Sequence, residues 1–362
     1  MQLKYRFFET NAYRLCLSNV EIPRPGTVAQ PLQYGKAEVK IMFYTLMPFV
    51  CMGTGLLLGT RSLPKRFYKI VDLIATLSLI LLMFVIGGNV GTNDQVISEI
   101  GVVGLRCIVT CFCAVIGSVA VCAIIEKFFV PLGKYQELLS DDTAAVTEAE
   151  KEADSGHRVD PLLIIIIVSV FLGILVCYLL NRSGLPWLSV FLDKALAVSL
   201  IVLYTSVGIG MGQQKSVFLY MKKVGFKVLL FVLGVFAGSI MGGALSTLIT
   251  GMPLNYAVIS TSGVGYYSLT GATMLSRFGA EAGVYGFMVN VFRDIFTILL
   301  LPLYIRLNKS AAIASGGAGC MDTMLVPITR AAGREIGLIA LIVGIVLTFG
   351  VPIILPIMCS IL

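Results

Sequence analysis

Charge is what this chain has least of: Asp, Glu, Lys and Arg make up only 13% of its 362 residues. A soluble domain carries about 25%. Histidine occurs once, as His157 in a polar stretch, so the apolar body of the chain offers neither a Ser–His–Asp nucleophile nor a histidine-bearing metal centre. A G-x-x-x-x-G-K-[ST] phosphate loop is also missing. The string Gly208, Gly210, Gly212, Lys215, Ser216 has the wrong spacing and ends a hydrophobic run rather than a soluble strand. Nucleotide-driven pumping by this chain is therefore not expected. The reading is of a protein that is not an enzyme and needs no cofactor.

Apolar length is what the chain has in place of charge. Hydrophobic residues make up 57% of it, and its mean hydropathy is +0.92. Full-length apolar spans read at 41–59, 70–89, 101–125, 161–180, 188–210, 226–250, 283–305 and 336–360. Two further segments, 254–275 and 311–329, are apolar but interrupted by small and polar residues. Irregular backbone at membrane depth is tolerated only where protein or a cavity covers it, so both read as re-entrant or broken helices. For 254–275, a full span with close glycine contacts is the competing reading. The fold class is an all-α polytopic membrane protein: about eight transmembrane helices plus two re-entrant or broken segments, sitting in a lipid bilayer.

The net charge of +7 would suggest nucleic acid in a soluble protein. Here the basic residues gather in short connections, which sets orientation instead. Arg61, Lys65, Arg66 and Lys69 follow the first span, and Lys215, Lys222 and Lys223 follow the fifth. Both connections read as cytoplasmic, which places the termini outside. The tail 1–40 fits badly, because it carries six Lys or Arg on the exported side. It reads as a start-site artefact or a dispensable tail, with Met42 the start that removes the conflict. The nine cysteines show no disulfide framework. Cys107 and Cys111 share a helical face and read as small apolar packing rather than as a metal site.

A shift of 121 positions superposes the first three spans on the next three without a gap. Asp72 falls on Asp193, Gly87 and Gly91 on Gly208 and Gly212, Arg61-Ser62 on Arg182-Ser183, and Gly117-Ser118 on Gly238-Ser239. An odd number of helices per unit makes the two copies enter from opposite sides, a mark of secondary transporters. The organisation is thus a tail (1–40), a first three-helix repeat (41–125), a polar acidic linker (126–160), a second repeat (161–250) and a transport-site region (251–362).

Three constellations in that last region could carry chemistry. Arg293-Asp294 lies in the middle of an apolar run, where ionisable groups are expensive and mark ion, proton or substrate pathways. Asp322 puts a second carboxylate into a broken segment, and the two acids cost less if they share a polar cavity. The run Ser262, Gly263, Val264, Gly265, Tyr266, Tyr267, Ser268 combines backbone-bending glycines with hydroxyls and aromatic faces that can hold a cation. An aromatic packing seam is the alternative there. Arg106, near the outer end of the third span, reads as a snorkelling side chain.

The motifs S-G-V-G-Y-Y-S-L-T-G, N-V-F-R-D (Asn290 to Asp294) and M-D-T-M-L-V-P resemble those of the bacterial lysine exporter family, the LysO type, from about Met42 to the C-terminus. The resemblance implies an inner-membrane exporter of L-lysine and its analogue thialysine, with eight spans and both termini outside. It also implies that Asp294 stands where the family requires a membrane-embedded glutamate, so this chain carries the shorter acid. The function expected is efflux of lysine or a related cationic amino acid in exchange for protons. Asp294 is the coupling acid, Asp322 the second candidate, and Arg293 either fixes the pKa of Asp294 or takes the substrate carboxylate. Asn290 joins that set. Two other classes stay open: a sodium- or proton-coupled organic-acid transporter with Arg293 as its anion site, and a membrane sensor without transport. The sequence also leaves a homo-oligomer open.

Overall fold

The structure, a computed structural model, describes residues 46–61, 64–132, 161–182, 187–213 and 226–362. The tail 1–40, most of the polar linker with His157, and the basic residues Lys215, Lys222 and Lys223 lie outside the described residues. Described secondary structure is helical throughout, with no strand among the described residues.

The first unit contains α1 (Leu46–Gly59), α2 (Lys65–Gly91) and α3 (Ile100–Phe128). The second contains α4 (Pro161–Arg182), α5 (Trp187–Gln213) and α6 (Leu229–Thr250). Then follow α7 (Leu254–Ser262), α8 (Tyr267–Phe278), α9 (Ala280–Leu307), α10 (Lys309–Gly316), α11 (Leu325–Ala332) and α12 (Arg334–Ile361). Among the described residues, α2, α3, α5, α6, α9 and α12 are long and apolar enough to cross a membrane. With the shorter apolar helix α1 and the 22-residue α4, every expected full-length span coincides with a helix. The chain is an all-α polytopic membrane protein.

Small residues set the packing of the two units. A Cβ added at Gly87 or Gly91 would strike the carbonyls of Val170 and Ile174, so α2 and α4 run parallel at glycine distance. One at Gly55 or Gly59 would strike those of Thr205 and Ile209, which sets α1 parallel to α5. These contacts are the small-xxx-small association that lets backbones meet where lipid gives no hydrophobic drive. In contrast, α3 and α6 are antiparallel. Ser246 Oγ donates to Thr110 Oγ1 at 3.1 Å, Gly117 abuts Gly238, and Ser118 Oγ donates to the Val235 carbonyl at 3.1 Å. Successive helices alternate in direction within each unit, so these three pairings require the second unit to be inverted relative to the first.

Repeat mates also touch one another. Ser78 Oγ donates to the carbonyl of Ser199, its mate 121 positions on, at 3.1 Å, and Gly117 meets its mate Gly238. Like-on-like contact of this kind occurs only at a two-fold axis. The gapless register needs one correction. Gly87 meets Val170 whereas its mate Gly208 meets Met52, and Gly173 meets Phe84 whereas Gly55 meets Thr205, the mate of Phe84. The first helices are thus related by 118 positions, three fewer than the rest. Three residues are close to one helical turn, so the slip keeps the glycine face turned toward its neighbour. Matching Arg61 to Arg182 therefore does not mark structural equivalence; Ser62 and Ser183 lie outside the described residues.

The remaining helices fill the space against these units. α7 and α10 are buried along nearly their whole lengths, while Leu73, Phe171, Leu233 and Leu248 on the outer helices are exposed, as lipid contact requires.

Candidate functional site

Both interrupted segments are broken, and their breaks meet. In the first, α7 lies alongside α9 in the same direction, with Tyr256 6.0 Å from Tyr285 between ring centroids and Asn290 bonded to Ser260. α8 runs the opposite way, since Cβ atoms at Gly271 and Gly283 would press on Phe287 and Leu275. Its end also returns to the start of α7, where the rings of Tyr256 and Phe278 stand 6.0 Å apart. Residues 254–278 therefore form a re-entrant hairpin, not a full span. Its tip holds two successive left-handed residues, Val264 (φ 42°) and Gly265 (φ 103°). Glycine adopts such a φ freely, but a β-branched valine is strained there and persists only because its surroundings over-determine it.

Asn290 supplies much of that restraint. Its Oδ1 accepts from the Gly265 N–H at 2.7 Å, and its Nδ2 donates to the carbonyls of Ser260 at 2.9 Å and Gly286 at 2.8 Å. One amide side chain thus splints both sides of the hairpin tip to α9. The Val264 carbonyl accepts from the Ala318 N–H at 2.9 Å. Ala318 sits in a 3₁₀ turn, Gly317–Met321, that interrupts the second segment between α10 and α11. The two breaks are joined backbone to backbone.

Asp294 lies one helical turn beyond Asn290 on α9, facing this junction. Its residue exposure is 6%, and its Oδ1 is buried without a hydrogen-bond partner. That oxygen lies 3.6 Å from the Cβ position of Gly265 and 3.2 Å from that of Gly319, so glycines from both breaks make room for it. Asp322 closes the 3₁₀ turn and is exposed; its carboxylate accepts from the Thr323 N–H.

Arg293 is engaged elsewhere. Nε donates to the Ser315 carbonyl at 3.0 Å and Nη2 to that of Ala314 at 2.7 Å, so the guanidinium caps the C-terminal end of α10. Nη1 donates to Ser239 Oγ at 2.9 Å and Nη2 to Ser118 Oγ at 3.3 Å. Ser118 and Ser239 are repeat mates, so one side chain at the two-fold axis binds both units and a broken helix at once. Four of its five N–H donors are used. The sequence reading has Arg293 fixing the pKa of Asp294 or taking the substrate carboxylate; its hydrogen bonds run to Ser118, Ser239, Ala314 and Ser315. Neighbours on a helix project about 100° apart, so the two side chains find different hydrogen-bond partners while staying near each other: Asp294 Oδ1 and Arg293 Cδ lie 3.6 and 3.7 Å from the Cβ position of Gly265.

The other expected residues divide. Ser262 and Ser268 are buried, and the Ser262 hydroxyl donates to the Ile259 carbonyl at 2.7 Å. A Cβ at Gly263 would strike Thr270 and Asn290. Tyr266 is half-buried beside the hairpin tip, and Tyr267 packs edge-on to Phe287 at 5.9 Å, the geometry of an aromatic seam. Arg106 donates to the Tyr285 hydroxyl at 3.3 Å, so it is paired rather than simply snorkelling. No cluster of three or more metal-ligating side chains occurs among the described residues. Sequence reasoning assigned no role to Ser118, Ser239, Gly319 or Thr323. The Gly-Ser match between the repeats was the one available signal, and it located the two serines without revealing their partner.

An inverted pair of three-helix units, with two interrupted helices meeting at a buried acid, defines a polytopic membrane protein with an inverted-repeat architecture that many secondary transporters share. A model described as "Lysine exporter LysO" matches residues 49–138 and 167–359, and the chain belongs to that lysine exporter family. It is 29% identical over 182 residues to the "Lysine exporter LysO" of Escherichia coli (strain K12), covering 50% of this chain and 60% of that protein. It is 31% identical over 117 residues to the "Putative lysine exporter" of Haemophilus influenzae, covering 32% of this chain and 60% of that protein. The alignments thus span three-fifths of the length of these relatives. No solved structure matches the chain.

Proposed function

We propose that the protein exports L-lysine and related cationic amino acids such as thialysine across the cell inner membrane, in exchange for protons. The observation that carries this reading is Asp294, a buried carboxylate with an unpartnered oxygen where two broken helices meet. Family membership supplies the substrate class. Moving a cation outward against the membrane potential costs about 2.3 kcal/mol per charge per 100 mV, and inward proton flow can supply that work. A carboxylate whose buried oxygen has no hydrogen-bond partner can hold a proton or a substrate ammonium, but not both. That mutual exclusion is the simplest form of antiport.

In this reading the hairpin of α7 and α8 and the segment of α10 and α11 are the moving or opening parts. Asn290 and Arg293 hold them in register. The hydrogen-bonding of Arg293 counts against an organic-acid transporter built on that residue, because one N–H alone remains for an anion. Purified protein in liposomes loaded with labelled lysine tests the proposal. Lysine counterflow, accelerated by an acid external medium, supports it. Sodium-dependent uptake of an organic acid without lysine exchange would refute it. Resistance to thialysine in cells lacking their own exporter is the corresponding growth test.

A further inference from the structure

Asp294 Oδ1 is not the only orphaned oxygen at the junction of the two breaks. Thr323 Oγ1 is also buried without a hydrogen-bond partner. Both face one spot: a Cβ added at Gly319 would lie 3.1 Å from Thr323 Oγ1 and 3.2 Å from Asp294 Oδ1. Gly319 therefore puts no side chain between a carboxylate oxygen on one side and a hydroxyl on the other, with the Met324 side chain 3.3 Å from the same point as an apolar neighbour. A buried polar atom left unpaired costs about 1–3 kcal/mol. Two such atoms converging on one space are tolerable when something polar occupies it for part of the cycle.

We propose that Thr323 and Gly319 complete, with Asp294, the subsite that receives an ammonium group of the substrate. The inference rests on the exporter reading and adds a ligand and a space-making residue to it. The chemistry fits in three respects. Both oxygens can accept hydrogen bonds, and a primary ammonium brings donors only. A hydroxyl is a neutral ligand, so Thr323 adds no negative charge to that of Asp294 and the neighbouring Asp322 carboxylate. Thr323 directly follows Asp322 in a turn whose conformation the Asp322 carboxylate fixes by accepting from the Thr323 N–H. The exposed acid thereby sets the backbone of the residue that supplies the buried hydroxyl.

The test is lysine transport by reconstituted parent protein, Thr323→Val, Thr323→Ser and Gly319→Ala, at matched abundance in the liposomes. Valine keeps the shape of threonine and removes its oxygen. Losing a hydrogen bond to a charged group should raise the lysine KM about tenfold or more. Serine restores the oxygen and should return the KM to within about threefold of the parent. Gly319→Ala puts a methyl into the space itself and should raise the KM at least as far as valine does. A parental KM for Thr323→Val overturns the inference. So does an equal loss with valine and serine, which would assign the position to packing, or a change confined to sodium dependence, which would make the occupant a metal cation. Absence of lysine flux in the parent would instead overturn the exporter reading, so the two failures are told apart.

Discussion

Replacing Arg293 with lysine separates a structural role for the guanidinium from a substrate-binding one. Arginine makes four hydrogen bonds here, to Ala314, Ser315, Ser118 and Ser239, from three nitrogens set in a rigid fork. A lysine ammonium keeps the charge but has one nitrogen and three donors, so it cannot reach partners on α3, α6 and α10 together. At least two bonds are lost, each worth about 1.5–3 kcal/mol because the donor is charged. Buried acceptors on both repeats are left short of a donor. The expected destabilisation is about 3–5 kcal/mol, the range for breaking a buried charged network. Thermal unfolding of the detergent-solubilised protein, followed by size-exclusion chromatography, reads this directly. Transport supplies the discriminating readout. If Arg293 positions the broken helix, flux of lysine and of cadaverine, which lacks the carboxylate, should fall by the same factor. A variant as stable as the parent, with lysine transport lost and cadaverine transport intact, would refute the structural assignment and restore the anion-site reading.

Other outcomes follow from the same geometry. Asn290→Ala removes the acceptor of the Gly265 N–H and the donor to the Ser260 carbonyl, so it should destabilise by about 2–4 kcal/mol and abolish flux; thermal unfolding beside a transport assay checks it. The double variant Ser118→Ala, Ser239→Ala should lose more stability than either single change predicts by addition, since both hydroxyls serve one guanidinium. Additive effects would mean that Arg293 does not couple the two repeats. Tyr267→Ala should lower stability by about 1–3 kcal/mol through loss of its edge-on contact with Phe287. A raised lysine KM at unchanged stability would instead assign Tyr267 to the substrate.

The spans were legible because lipid imposes a length and a composition that few other environments demand. The inversion was legible from glycines. A glycine that admits a backbone carbonyl tolerates no side chain, so Gly87, Gly117, Gly208 and Gly238 left a register in the sequence that apolar residues could not. The three-residue slip of α1 against α4 was overlooked although Gly55 and Gly173, which each admit a backbone carbonyl, carry it; the match of Arg61-Ser62 to Arg182-Ser183 at the longer spacing masked it. Interrupted segments were recognisable from Gly265, Gly317 and Gly319. That α7 and α8 fold back on each other depends on Asn290 and Tyr256 reaching residues far along the chain. At Arg293-Asp294 the sequence shows two adjacent charges but not the hydrogen bonds that tie the guanidinium to Ser118, Ser239, Ala314 and Ser315. Thr323 passed unnoticed because a threonine at a helix break is ordinary until its hydroxyl is found to have no partner.

The central claim is that Asp294 exchanges a proton for the substrate, and Asp294→Asn tests it most directly. Asparagine is nearly isosteric, and because Arg293 is bonded to Ser118, Ser239, Ala314 and Ser315, its network should survive the change with little loss of stability. Purified Asp294→Asn, at parental abundance in liposomes, should show no acceleration of lysine efflux when the external medium is acidified, while Asp294→Glu should retain substantial proton-driven flux. Efflux by the asparagine variant that responds to the proton gradient at the parental rate would contradict the account and pass the coupling role to Asp322.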